Sequence, residues 1–240
     1  VKPGFSMCDT WAGLQLLRGL SMALLHRQRT GQGLRVDIAM LDCAFYMCES
    51  PVLEHSLTGR FTERTGNHHA WYAPCGEFAA KDGNVVLAVS QEAEWAALCG
   101  ALGLASLAAD PRFFDNEARV RNRDALICEL EKATKAMGRY ELETVLSKAG
   151  VPVAAVQSLQ EFHRQPQTEI LDVITQIQQE GVGTYTVTNT PIRFSRTPVN
   201  PNASAAGHPG AHSREVLQSL GYRPERVEEL LSSGAVHQAG

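Results

Sequence analysis

The chain has 240 residues, 44% of them hydrophobic and 20% charged, with a formal net charge of −4. That apolar content suffices for a sizeable core in one large domain or two small ones. The acidic balance, with basic residues scattered rather than gathered in a stripe, argues against a nucleic-acid partner.

Trp11 to Leu25 is rich in Leu and Met, but Gln15 and Arg18 interrupt it and it is short for a membrane span, so no membrane partner is expected. Six cysteines stand at 8, 43, 48, 75, 99 and 128. No pair has C-x-x-C spacing and no Cys/His grouping matches a metal site, so no metal is expected. Cys43, Cys99 and Cys128 lie in apolar runs and read as buried, reduced, structural thiols, which points to the cytoplasm. The first residue is Val, and the chain reads as a fragment or a processed product.

In chain order, residues 10–28 read as a helix whose apolar positions wrap most of its circumference, which predicts burial. Gly13 and Gly19 weaken its propensity and would allow close packing against a neighbour. "RTGQG" stops it, and "LRVDIAML" alternates as a strand with one polar face. "LDCAFYMCESPVLEHSL" is a second helix, bent or broken at Pro51. Residues 58–74 form a long polar loop with glycines, histidines and a Trp-Tyr pair, and loops of that length are often functional. "CGEFAA" and "NVVLAVS" flank "KDGN", where Asp82-Gly83 is a hairpin signal. Helices follow at about 91–102, 116–136 and 140–149, then a short strand, "VPVAAV". "LQEFHRQPQT" is a short helix ended by Pro166, and "LDVITQIQQ" and "TYTVTN" are strands joined across Gly181 and Gly183. "TPIRFSRTPVNPNASAAGHPG" is extended, and two helices close the chain, the first capped by Ser213 and the second with Pro224 in its first turn. Arg119, Arg121 and Arg123 read as a solvated, ion-paired helix face rather than a phosphate site.

Several stretches resemble one family, the class III CoA-transferases, which include the formyl-CoA and carnitine-CoA transferases. "CDTWAGL", "LLHRQRTGQGLRVDIAMLD", "GNHHAWYAPCGEFAAKDGNVVLAV", "DPRFFDNEARVRNRDAL", "AGVPVAAVQSLQE", "TPIRFSRTP" and "HPGAHSREVLQSLGY" follow the family's order over almost the whole chain. The resemblance implies an α/β fold: a partial Rossmann-like large domain built from both chain ends, 1–57 and 185–240, plus a smaller α+β domain at 74–156. Residues 58–73 would be a linker and active-site loop, and 157–184 a second linker. It further implies an interlocked homodimer, or a complex with a second chain that supplies the N-terminal portion. Family members carry a nucleotide-binding-like portion before the aspartate that corresponds to Asp9, and that portion supplies most of the CoA pocket. Coenzyme A, as acyl-CoA, and a carboxylic acid are the implied substrates.

The resemblance makes Asp9 the nucleophile that attacks the acyl-CoA thioester. On local grounds alone, an Asp directly before an apolar helix is a helix cap, and Thr10 would take over capping if the carboxylate were free to react. Gly66 and Asn67 would adopt unusual backbone angles and offer N–H groups, while His68 and His69 would hydrogen-bond a substrate carboxylate; the bland reading of the pair is two solvated surface histidines. The loop lacks the glycine run of the formyl-CoA-using members, so oxalate and formate are not the expected substrates. A racemase of 2-methylacyl-CoA is the alternative from the same family, with Glu92 near the place of its acid. The third reading is a fragment or split subunit without activity alone. As an isolated chain, the protein is expected to expose apolar surface and self-associate.

Overall fold

The computed structural model describes residues 3–61, 63–179, 181–197 and 207–239. It divides into two compact units, one running to Val156 and one from Gln157 onward. Most of the "PVNPNASAAG" stretch expected to be extended lies outside the described residues.

The first unit opens with helix α1 (Met7–Thr30), followed by α2 (Met40–Tyr46) and α3 (Glu49–Thr58). α1 ends on Gly31, whose φ of 76° places it in the left-handed region where glycine costs least. The expected break near Pro51 falls just before it, at Met47 and Cys48, and Pro51 sits in the first turn of α3, where its missing N–H is harmless.

Two expectations for this end of the chain are corrected. α1 is not buried: none of its residues is, and Leu17 and Met22 are 54% and 64% exposed. Its apolar positions are spread around the helix, and the described residues cover only part of that surface. Residues 34–38 do not form a strand; the segment 32–39 has neither helix nor ladder partners. A strand is stabilised by a neighbour's hydrogen bonds, and no described residue supplies them. The segment does cross α1 closely, because a Cβ at Gly19 would stand 2.7 Å from Val36 Cγ1, whereas Gly13 has open space around it.

The core lies farther along. Strands β1 (Cys75–Ala80), β2 (Gly83–Ala88) and β3 (Val153–Ala155) form an antiparallel sheet in the order β1-β2-β3. Helices α4 (Glu92–Ala101), α5 (Ala105–Ala108), α6 (Asn116–Arg121), α7 (Arg123–Thr134) and α8 (Arg139–Lys148) accompany it. Phe78, Val85, Leu87, Leu98, Phe113, Leu126, Leu130, Leu142 and Leu146 are almost fully buried in one cluster. The β1–β2 hairpin forms as expected, with its two-residue turn at Lys81-Asp82, since Ala80 pairs with Gly83. Asp82 is thereby free to accept a hydrogen bond from the Arg139 amide at 2.8 Å and so caps α8.

The second unit contains α9 (Leu159–His163), α10 (Pro166–Ile170), the antiparallel pair β4 (Ile174–Gln179) and β5 (Gly183–Thr188), and helices α11 (Ser213–Ser219) and α12 (Pro224–Ser232). Pro166 does not simply end a helix; it occupies the first position of α10, where its fixed φ suits a helix start. Ser213 is the first residue of α11 rather than its cap, a place taken by His212 without a side-chain hydrogen bond. Among the described residues every strand pairing is antiparallel, and no helix is long and apolar enough to cross a membrane.

Candidate active site

Asp9 lies in the first turn of α1. The residue at the cap position is Ser6, and no side chain caps this end. The cap reading of Asp9 is therefore corrected: as the third helical residue it lies inside the helix, too late to occupy that position. Its carboxylate is exposed and makes no hydrogen bond or ion pair in the described structure. It remains beside the unpaired N–H groups and positive end of a 24-residue helix. Thr10 donates its hydroxyl to the Ser6 carbonyl at 3.0 Å instead of capping the helix.

The histidine loop is tied to the small sheet. His69 donates its amide to the Cys75 carbonyl at 2.8 Å, and Glu77 donates its amide to the Asn67 carbonyl at 3.1 Å. His68 bridges Gly76 in an antiparallel sense, and its ring meets Phe78 edge-on with centroids 5.3 Å apart. Gly66 has a φ of 64°, as expected for the turn. The backbone N–H groups of Gly66 and Asn67 make no bond among the described residues. One Glu77 carboxylate oxygen accepts from the Asn67 side-chain amide and the other from that of Asn84.

Gly66, Asn67, His68, Glu77, Ala79, Asn84 and Glu131 surround an open cleft of about 580 Å³. Asp9 and His69 do not line it. The His69 ring turns the other way, accepting the Trp71 amide at 3.1 Å on Nδ1 and leaning on Tyr72. Burial first, and then the Arg123 cation, hold His68 below the ordinary imidazole value, against the opposing pull of Glu131, Asp124 and Glu77. His68 is consequently a neutral imidazole at pH 7.

Three side chains from α6 and α7 grip the stretch that follows the histidines. Arg123 Nη2 donates to the carbonyls of His69 and Ala70 at 2.7 and 2.9 Å. Asn116 donates to the Trp71 carbonyl at 2.8 Å and accepts the Ala73 amide at 3.1 Å. Arg119 Nε donates to the Ala73 carbonyl at 2.7 Å and Nη1 to the Phe113 carbonyl at 3.2 Å. The reading of Arg119 and Arg123 as a solvated face is thus overturned, and only Arg121, with Glu117 at 3.8 Å, fits it. Arg119 is 1% exposed, forks onto both oxygens of Glu92 at 2.7 and 2.9 Å, and lies over the Trp95 ring. Glu92 is held below the ordinary carboxylate range mainly by that hydrogen bond, so both oxygens of the acid considered for racemisation are engaged. Asn116 and Arg119, three apart on α6, share a helical face, while Arg123 stands beyond the break at Asn122 and opens α7.

All six cysteines are free; Cys43 and Cys99 are buried, but Cys128 is exposed, contrary to expectation. Burial raises the Cys99 thiol to about 11, which leaves it inert near neutrality. No group of three or more His, Cys, Asp or Glu among the described residues could hold a metal ion.

Comparison with known proteins places these features in one family. The chain is 36% identical over 165 residues to the acetyl-CoA:oxalate CoA-transferase of Acetobacter aceti, covering 69% of this chain and 42% of that protein. It is 31% identical over 221 residues to the succinyl-CoA:mesaconate CoA-transferase of Haloarcula marismortui, covering 92% and 55%. The chain therefore spans about half the length of the curated relatives it matches. Among solved structures, a CaiB/BaiF family protein from Brucella suis shares the fold with a TM-score of 0.75 and 30% identity, over 92% of this chain and 57% of that one. The model of CoA-transferase family III matches residues 1–213, from the helix that bears Asp9 through the histidine loop and its clamp, and the chain belongs to that family.

Proposed function

We propose that this chain contributes the nucleophile and the histidine loop to an enzyme that transfers coenzyme A between an acyl-CoA and a carboxylic acid. The observation that carries the reading is Asp9: an exposed carboxylate without an internal partner, in the first turn of a long helix, inside the segment matched by the family. A carboxylate is ionised at pH 7 and needs no base to attack.

In this reading an Asp9 oxygen attacks the thioester carbonyl, the C–S bond breaks, and CoA leaves as thiolate. The product is a mixed anhydride between the acyl group and Asp9. The thiolate then attacks the Asp9 carboxyl carbon, releasing the donor acid as a carboxylate and leaving Asp9 as a CoA thioester. The acceptor carboxylate attacks that thioester, re-forms an anhydride with Asp9 and expels thiolate. Attack by the thiolate on the acceptor acyl carbon yields the new acyl-CoA and frees Asp9. No net proton is consumed. Amide N–H groups at the start of α1 are suited to the oxyanion of each tetrahedral intermediate. Gly66 and Asn67 offer free N–H donors, and neutral His68 and outward-facing His69 offer imidazoles, for the acyl group or the acid.

We further propose that α1, residues 32–39 and α2 belong to a Rossmann-like large domain completed by a second copy or a further chain. The exposed apolar side chains of α1 and the unpaired segment 32–39 support this. Relatives named for oxalate, mesaconate, succinate and glutarate make dicarboxylic acids the first acceptors to test, oxalate included despite the missing glycine run of the loop.

The decisive experiment incubates the completed assembly with acetyl-CoA or succinyl-CoA, then traps with hydroxylamine or borohydride and maps the product by peptide mass. Modification at Asp9 is expected, and Asp9→Asn should lower transfer by at least about a thousandfold, the scale on which lost covalent catalysis is felt. Undiminished transfer by Asp9→Asn, with Asp9 unmodified in the parent, rejects the reading.

A further inference from the structure

We propose that Arg123, with Asn116 and Arg119, is a positioning residue that fixes where Asn67 and His68 stand, by clamping the backbone from His69 to Ala73 onto α6 and α7. This rests on the reading of the histidine loop as substrate-binding, but its test is independent of catalysis.

Among its described residues, the loop from residue 59 to residue 74 contains neither helix nor strand. Its early part carries the residues that line the cleft, and its later part leads into β1. Ordering such a segment costs conformational entropy at each residue, and apolar burial offsets little of it here, since Trp71 and Tyr72 are themselves exposed. The clamp supplies what packing does not. Five hydrogen bonds to main-chain groups of residues 69, 70, 71 and 73 come from three side chains, two on α6 and one at the start of α7. Because they are made to main-chain groups, they hold the path of the chain whatever its side chains are.

The two arginines stand on fixed supports. Arg119 is locked by the two Glu92 oxygens and by Trp95 beneath it. Arg123 begins α7, whose Leu126 and Leu130 lie in the core. The other end of the histidine stretch is fixed by Gly76, Glu77 and Cys75 of β1. His68 and Asn67 are thus suspended between the sheet and α7, and Arg123 is the member that reaches nearest the histidines. A planar guanidinium satisfies two adjacent carbonyls through one nitrogen, a geometry a lysine ammonium does not reproduce with the same rigidity.

The test uses the whole chain and four variants: Arg123→Ala, Arg123→Lys, Asn116→Ala and, as comparator, Arg121→Ala, which removes an exposed neighbour on α6. Amide hydrogen exchange is read by NMR at residues 69–73 and, as a check on folding, at Leu126, Leu130 and Val85. The His68 titration midpoint is read from its ring protons. The groups facing that ring are Arg123, Asp124 and Glu131 of α7 and Glu77 of β1. Arg123→Ala should speed exchange at 69–73 by at least about tenfold, roughly the effect of one lost net hydrogen bond, and raise the His68 midpoint. Arg123→Lys should speed exchange while keeping most of the midpoint. Asn116→Ala should expose the Ala73 amide, and Arg121→Ala should change neither reading. If Arg123→Ala fails to fold, Arg123→Lys and Asn116→Ala carry the test. Unchanged loop exchange in these variants, or an equal change in Arg121→Ala, overturns the proposal. A failed trapping experiment at Asp9 would leave these measurements standing, so the two readings fail separately.

Discussion

An alanine methyl at position 76 would stand 2.4 Å from the Asn67 carbonyl oxygen and 2.7 Å from the His68 Cα, on a backbone whose φ of 145° already disfavours a side chain. Neither obstacle is the flexible end of a side chain, so the loop itself must retreat. Gly76→Ala is expected to cost about 2 kcal/mol or more, by strain plus lost contacts between loop and sheet, and urea denaturation measures it. The buried Arg119 sets a different kind of dependence. Glu92→Gln would leave a cation in the core without its counter-charge, facing two carbonyls, the Trp95 ring and one amide oxygen. Loss of a partner from a fully buried pair costs several kcal/mol, but Glu92 is 58% exposed, so a cost of about 1–2 kcal/mol is expected. The sign with pH follows from the depressed Glu92 carboxyl. Its folded value lies below the ordinary 4.5, so its contribution is whole above 4.5 and is lost as pH falls through the folded value. Urea midpoints of parent and Glu92→Gln should therefore converge as the pH drops below 4.5; a gap of constant size down to strong acid would contradict it. His68 acts in the same pH direction by a different route. Its imidazole is lowered in the fold, so the unfolded chain binds the proton more readily and stability declines as pH falls below the ordinary histidine range.

The elements differ in how much of themselves they carry in local sequence. The β1–β2 hairpin, β3 and helices α4, α7 and α8 were legible because their patterns match a core they share: Phe78, Val85 and Leu87 alternate with outward residues, and Leu126 with Leu130 and Leu142 with Leu146 sit four apart. The β4–β5 pair was legible as well, from its alternating residues and the glycines of its turn. Residues 34–38 have the same alternation and form no strand, because a strand's stability resides in its neighbour and no described residue is placed to pair. The burial expected of α1 failed for the same reason, since apolar composition states what a helix would cover but does not provide the cover. Within the site, the glycines and histidines of the loop stood out by composition, whereas the clamp did not. Arg119 and Arg123 look like any solvated basic residues until the fold brings residues 69–73 against them, some fifty positions away in sequence. A measurement at this scale separates the two kinds of element. Amides of α7, α8 and the β1–β2 ladder should exchange slowly, as core segments do, and those of residues 34–38 should exchange at nearly the rate of an unstructured chain. Strong protection at 34–38 in the isolated chain would mean that something pairs with the segment after all.

At the scale of the whole chain, the distribution of apolar surface is lopsided. Among the described residues, the buried members of the core cluster all lie between Ala73 and Val151, and few others are buried, while α1 through α3 contribute one buried apolar residue, Cys43. Along α1, Leu17, Leu20 and Leu24 are each about half exposed at i, i+3, i+7, which makes a continuous stripe, and Leu34, Ile38, Leu41 and Phe45 add to the apolar surface of the following segments. Monomeric soluble proteins seldom expose contiguous apolar patches beyond a few hundred Å², because covering such a surface is favoured by roughly 25 cal/mol for each Å² removed from water. Self-association through the α1 face is therefore expected, opposed only weakly by a net charge of −4. Sedimentation velocity should show a weight-average mass that rises with concentration, together with binding of a hydrophobic dye. Leu17→Glu combined with Leu24→Glu places two charges in the stripe and should weaken association by at least about tenfold, since burying even one unpaired carboxylate exceeds 1.4 kcal/mol. These substitutions lie outside the core cluster, so hydrogen exchange at Leu126 and Leu130 should be unaltered and serves as the control for folding. A chain that stays monomeric at every concentration and binds no dye would mean that the α1 stripe is covered within a single molecule, and the case for a second copy or chain completing the large domain would lose its physical driving force.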